Sequence, residues 1–297
     1  MSHPISMPAA NPAKNNGLEV WMGRVAERVD QAGSEWDADS VHDLRVALRR
    51  CRTMSDALSK VNPGPGWRKL KKMTRELFHA LGDLRDTQVE RWWVKKLGAS
   101  GDPVRRHMLG LLSQEEPAHR KTVAHALDHF DRKDWRKLTR KLASKARFFP
   151  FESVVFQRLA LESLHEAVRL YQEARKRRSS IAWHHLRIEI KNFRYIVENF
   201  LPHRYDVWAS DMKRIQDLLG DVHDLDVLRS KIRRQASRLP REIVAPWLEK
   251  IGAERKARLD EFLSKAASEN SPWAVWRAGF QWGHALRAAS FPERRTA

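Results

Sequence analysis

The stretch His42-Asp43-Leu44-Arg45-Val46-Ala47-Leu48-Arg49-Arg50-Cys51-Arg52 governs the reading of this chain, because it occurs twice. It returns 142 residues later as His184-His185-Leu186-Arg187-Ile188-Glu189-Ile190-Lys191-Asn192-Phe193-Arg194. A second element, Leu81-Gly82-Asp83-Leu84-Arg85-Asp86-Thr87-Gln88-Val89, returns 138 residues later as Leu219-Gly220-Asp221-Val222-His223-Asp224-Leu225-Asp226-Val227. The offsets differ by about one helical turn, lost near Trp67 and Trp208, where a helix starts in each copy. Two copies of a long pattern in one order indicate a duplicated structural unit.

Each copy is a helix by spacing. Val41, Leu44, Leu48, Cys51 and Leu58 form one apolar face; Trp183, Leu186, Ile190, Phe193, Val197 and Phe200 form the other. One position later each time stand His42, Arg45, Arg49 and Arg52, and in the second copy His184, Arg187, Lys191 and Arg194. At about 100° per residue each set fills an arc of about 80° and runs roughly 15 Å along its helix. Stacked cations repel one another by a few tenths of a kcal/mol per pair, and a sequence serving stability alone would mix in acids. Arg, Lys and His together suit phosphate: a bidentate fork, a point charge and a titratable donor. Ser40, with Asp43 three residues on, has the arrangement of an N-cap.

Working outward, the periodicity is helical nearly everywhere. Breaks are expected at Gly33–Ser34, Asn62–Gly66, Gly98–Pro103, Pro150, Ser179–Ser180, Leu201-Pro202, Pro240 and Ser271-Pro272. An amphipathic helix precedes each motif (Leu18–Ala32, Phe151–Arg177). A long helix (Val104–Phe130, Arg241–Ala267) and a Trp-containing segment, near Trp135 and near Trp273 and Trp276, follow. The expected fold is all-α, with two homologous helical bundles at 17–148 and 150–292. Met1 to Asn16 is expected to be a disordered tail without the apolar region of a signal peptide.

Further basic residues lie outside the stripes. Arg68, Lys72 and Arg75 share a helix face, and Lys213 is the counterpart of Arg75. These four join the two stripes as candidate binding residues. Gly82 and Gly220 predict a close helix crossing or a kink. Asp86 and Asp224 are expected to have structural roles, capping a following helix or holding a stripe arginine. The Trp residues are expected in the core and between helices rather than as a platform for bases.

Composition narrows the partner. The chain has 56 Lys+Arg against 37 Asp+Glu, a net charge of +19 and a pI near 10.4, which calls for an anion: nucleic acid, membrane surface or polyphosphate. Cys51 is the only cysteine, so an intramolecular disulfide and a Cys-based zinc site are excluded. No apolar run is long enough to span a membrane, and a cytoplasmic location is the default expectation.

At these motifs the sequence resembles the CHAD family, the conserved histidine α-helical domain. The resemblance rests on His42/Arg45/Arg49/Arg52, His184/Arg187/Lys191/Arg194-Tyr195 and the two Leu-Gly-Asp segments, and spans about residues 17 to 290. It implies two bundles related by a pseudo-twofold axis, forming one compact unit with a basic central cleft or channel. It also implies binding of inorganic polyphosphate and association with polyphosphate granules. Some members of the family carry a triphosphate-tunnel domain, and no strand-rich region that could be one is read in this sequence. His223 stands where the first copy has Arg85, and Lys191 where it has Arg49, so the halves are expected to bind unequally.

The function expected is therefore non-enzymatic polyphosphate binding, without cofactor or metal. A general nucleic-acid or polyanion binder is the alternative, although no recognised nucleic-acid motif is present. His42-Asp43 and His223-Asp224 mimic a dipeptide of metal-dependent phosphohydrolases, but arginines around His42 disfavour a dication and no Gly-rich phosphate loop occurs. A minor further reading, adhesion to a membrane surface, would need apolar faces that a bundle core takes up.

Overall fold

A computed structural model describes residues 17–31 and 38–280. The expected tail of residues 1–16 and residues 281–292 of the second repeat lie outside the described residues. All regular structure among the described residues is helical. The first half comprises α1 (Leu18–Asp30), α2 (Ala38–Val61), α3 (Pro65–Met73), α4 (Arg75–Leu97), α5 (Pro103–Asp128) and α6 (Arg132–Ala146). The second comprises α7 (Val154–Arg177), α8 (Ser180–Phe200), α9 (Pro202–Gln235), α10 (Arg241–Ala267) and α11 (Pro272–Ala278), with a 3-10 turn at Ala236–Arg238.

Local chemistry explains most boundaries. Pro65, Pro103, Pro202 and Pro272 open α3, α5, α9 and α11, where the missing N–H costs nothing and φ is already helical. Asp102, Asp131, Ser179 and Ser271 each accept a hydrogen bond from a backbone N–H in the first turn of the helix that follows. The Ser40 cap is a correction: α2 begins at Ala38, and Ser40 lies inside its first turn. Asp39 favours that earlier start, since an acid complements the positive end of the helix. Asp43 instead pairs with Arg28 of α1 at 3.1 Å.

The turn lost between repeats has a structural origin. Trp67 and Trp208 are both buried, as are Leu77 and Ile215, yet the first pair is 141 residues apart and the second 138. The surplus therefore falls around Thr74, where α3 ends and α4 begins. The Thr74 hydroxyl donates back to the Leu70 carbonyl at 3.0 Å, a local bond that competes with helix continuation. In the second half α9 runs unbroken for 34 residues.

Both expected apolar faces are buried, and each fully buried Leu contributes about 2 kcal/mol. A large core joins α1–α6 to α7–α11, with Val123, Ala126 and Leu127 entering from the end of α5 and Trp67, Trp135, Phe193 and Trp276 fully buried in it. A second core is built by Trp93, Val94 and Leu97 of α4, Val104, Met108 and Leu112 of α5, Leu225, Leu228 and Ile232 of α9, and Val244, Trp247 and Ile251 of α10. Each core draws on both halves. Buried Trp residues fill them, as expected. Polar bonds also join the halves: Arg50 to Asn199 at 2.8 Å and to Glu198, Trp247 Nε1 to Asp102 at 2.8 Å, and Lys231 to Glu90 at 2.6 Å and Glu115 at 2.5 Å.

Candidate functional site

The stripes meet because α2 packs on α8 while α4 packs on α9. Apolar anchoring of α2 and α8 leaves the flanking cations half-buried at the junction of four helices. Their partners differ between halves. Arg45 donates from Nη1 to the Phe78 carbonyl at 3.2 Å and lies over the Phe78 ring. Arg49 reaches into the other half and donates to the Tyr195 hydroxyl at 2.6 Å. Arg52 donates to the Lys71 carbonyl at 2.9 Å and to Thr74 Oγ1 at 3.0 Å. In the second half Arg194 is held by Tyr205 at 3.3 Å and by Glu198 at 3.6 Å. Arg187 and Lys191 are different: neither side chain makes a hydrogen bond or ion pair among the described residues, and the buried Arg187 Nε has no partner.

The charges at the junction influence one another strongly. Burial, followed by Arg187 and Arg49, holds the Lys191 ammonium well below its usual range. Arg187 is also depressed by burial, against the pull of Asp224. Burial lowers His42, with Arg85 and Arg49 adding to the effect. His184 is lowered by burial and Arg187. His223 is pushed down to about 3 by burial, Arg187, His184 and Lys191. Its Nδ1 faces Nδ1 of His184 at 3.3 Å. Asp224 moves up to about 6, because burial outweighs the attraction of Arg187 and Lys191. Desolvation of unpartnered cations is costly, so an entering anion would relieve it.

Arg85, Asp86, Tyr195, His223 and Asp224 thus belong to the cluster, although sequence reasoning did not name them as candidate site residues. Their signal was the second repeat, 138 residues apart, and the Tyr195 that follows Arg194. Capping by the aspartates is corrected: Asp86 and Asp224 lie within α4 and α9, far from a following helix start. Helices α4 and α9 run unbroken through the two glycines. Gly82 does meet a close neighbour, the Arg45 guanidinium, whereas a Cβ at Gly220 would meet nothing within 4 Å. Arg68 and Lys72 are exposed on α3, and Arg75 is exposed at the start of α4. Lys213 is exposed on α9 and pairs with Asp217 at 2.6 Å. The structure places these four outside the junction cluster. Among the described residues no group of three or more His, Cys, Asp or Glu is arranged to hold a metal ion. No helix among them is long and apolar enough to cross a membrane.

Comparison with known proteins adds two findings. The family model described as CHAD domain matches residues 23–233. Among solved structures, the chain is similar to the crystal structure of the CHAD domain from the plant Ricinus communis, at 21% identity and a TM-score of 0.58. The match covers 97% of this chain and 99% of that one, and at this identity it speaks for the fold. No curated protein matches the sequence.

Proposed function

The chain belongs to the CHAD domain family, and on that premise we propose that it is a non-enzymatic binder of inorganic polyphosphate. One observation carries the reading: Arg187 and Lys191 are half-buried and make no hydrogen bond or ion pair among the described residues, beside Arg45, Arg49 and Arg85 from the other half. A flexible polyanion threading between the stripes supplies the missing countercharge, and Arg forks bind its non-bridging oxygens in pairs. Histidines that are neutral in the free protein add donors at the ends of the run. The two halves contribute unequally, with Arg187 and Lys191 free for ligand and Arg45, Arg49 and Arg52 already braced by protein groups. In the cell such a protein would act in the cytoplasm, at polyphosphate granules.

The reading is tested by competition. Labelled polyphosphate bound to the protein is displaced with unlabelled polyphosphate or with single- and double-stranded DNA of matched charge, at two salt concentrations. Poor competition by DNA at the higher salt is expected, since a non-specific polyanion site loses affinity steeply with salt. Equal competition would replace the reading with a general nucleic-acid binder. Release of orthophosphate from polyphosphate on addition of a divalent metal would overturn the non-enzymatic part.

A further inference from the structure

The first half carries a second basic surface that its duplicate lacks. On α6, Lys133, Lys137, Arg140 and Lys141 are exposed, with Lys145 half-buried beside them, spread over about 18 Å of helix. Trp135, Leu138 and Leu142 anchor the opposite face in the core. α3 packs beside α6 and adds the exposed Arg68 and Lys72, with Arg75 just beyond it. Between the two helices lies a groove of about 180 Å³ lined by Gly66, Lys69, Asp134, Lys137, Leu138 and Lys141. Acids are few here: Asp134 takes Lys69 at 2.6 Å, and Asp56 takes Lys71 at 2.6 Å. The other cations named make no ion pair among the described residues.

The internal repeat serves as a control. Trp135, Leu138 and Leu142 correspond at an offset of 138 to Trp273, Trp276 and Phe280, which are likewise buried. The core role of α6 is thus preserved in α11 and its extension. Its charge is not: residues 270–285 hold one arginine, Arg277, and no lysine. The segment of α9 that corresponds to α3, residues 206–214, mixes Lys213 and Arg214 with Asp206 and Asp211. Both of those cations are paired, Lys213 with Asp217 and Arg214 with Glu261. Packing demands the helix in both halves but demands the cations in neither.

The surface is continuous with the junction. Arg52, the last member of the α2 stripe, is bonded to Lys71 at the end of α3 and to Thr74, and Arg75 is the next residue. The equivalent of Arg52 in the second half, Arg194, ends against Glu198. Asp56, four residues beyond Arg52, is the counterpart of Glu198 but is taken by Lys71. A chain leaving past Arg52 therefore continues onto Arg75, Arg68 and Lys72, which make no ion pair among the described residues, whereas one leaving past Arg194 finds Lys213 and Arg214 already paired.

We infer that a long polyphosphate leaves the junction on the first-half side only, past Arg52 and Arg75, and is held along the α3–α6 face. This rests on the polyphosphate reading above and adds a direction and a length dependence to it. Segments beyond the junction bind at high effective concentration because they are tethered. A chain too short to leave the junction never reaches α6.

The test compares labelled polyphosphate of about ten and about a hundred phosphates, a contrast that separates tethered from untethered binding. Three proteins are used: wild type, the outer-face variant K133Q/K137Q/R140Q/K141Q, and the junction variant R187Q/K191Q. The outer-face variant should bind the long chain about tenfold more weakly, with a shallower salt dependence, and the short chain as wild type does. Neutralising K213Q/R214Q should leave long-chain affinity unchanged. Equal losses for both lengths, an unchanged long-chain affinity, or a loss confined to duplex DNA in the outer-face variant would overturn the inference. If instead the junction variant binds the short chain normally, the junction reading fails, and this result is separate from that of the outer face.

Discussion

Arg45 occupies the space that a side chain at Gly82 would need: a Cβ there would come within 2.7 Å of Arg45 Nη1. The repeat does not copy this relationship. At Gly220, the equivalent position, there is open space within 4 Å. A glycine inside a helix gives up about 1 kcal/mol relative to alanine, so in the first half that cost accompanies the seating of a guanidinium on the Phe78 carbonyl.

Alanine substitutions separate the two glycines. Gly220→Ala should stabilise the protein by about 0.5–1 kcal/mol through helix propensity alone. Gly82→Ala should gain less than that, because the same propensity is offset by about 1 kcal/mol from the displaced Arg45 hydrogen bond. Only Gly82→Ala should weaken polyphosphate binding. Urea melts beside binding curves check both, and equal stabilisation would show that Arg45 moves aside freely.

Removing the unpartnered cations should trade binding for stability. Lys191→Met keeps the aliphatic packing and removes a half-buried charge that is surrounded by Arg187 and Arg49. A gain of about 1–2 kcal/mol is expected, since apolar replacement of desolvated charges is often stabilising. Polyphosphate affinity should fall at least tenfold in the same variant. A destabilised Lys191→Met would place Lys191 in an interaction that holds the fold.

His223 sets a dependence on pH whose sign is fixed. Its folded-state pKa is about 3, below the 6.5 of an unfolded histidine, so the unfolded chain binds more protons between these values. Stability therefore falls as pH drops from 6.5 towards 3. Asp224 works the other way: raised to about 6, it favours the folded state on acidification between about 6 and 3.8. His223→Gln should flatten the acid loss of stability, and Asp224→Asn should steepen it. Denaturation at a series of pH values reads both slopes, and a His223→Gln profile identical to wild type would remove the histidine from the account.

A bound polyanion should reverse part of that depression. Its charge offsets Arg187 and Lys191, which contribute with burial to the lowering of His184 and His223, so binding takes up protons and strengthens below about pH 6.5. Calorimetry in buffers of different ionisation enthalpy measures the uptake directly. Uptake that persists in His184→Gln/His223→Gln would locate the protons elsewhere.

The second core offers a control away from the site. Lys231 neutralises Glu90, a buried carboxylate of the other half, at 2.6 Å. Lys231→Met should cost about 2–3 kcal/mol by leaving that charge without its partner. Polyphosphate affinity should be unchanged at concentrations where the variant is folded. A binding defect in the folded variant would tie this ion network to the junction.

The sequence by itself determined the helical class, the duplication and the two stripes, because helical periodicity and a repeated offset are properties of one dimension. Val41, Leu44 and Leu48 mark a buried face before any partner is known, and the cations one position later must flank it. Tertiary structure alone decided which of those cations are free. Arg45, Arg49 and Arg52 are engaged by Phe78, Tyr195, Lys71 and Thr74, groups lying 19 to 146 residues away in the chain, and no local pattern reveals such distances. The same holds for Arg85, which the repeat marked without a role, and for Asp86 and Asp224, for which it suggested a helix cap or a hold on a stripe arginine. Their burial and the charges facing them come from four helices converging, and desolvation is a property of the assembled junction rather than of any residue in the chain.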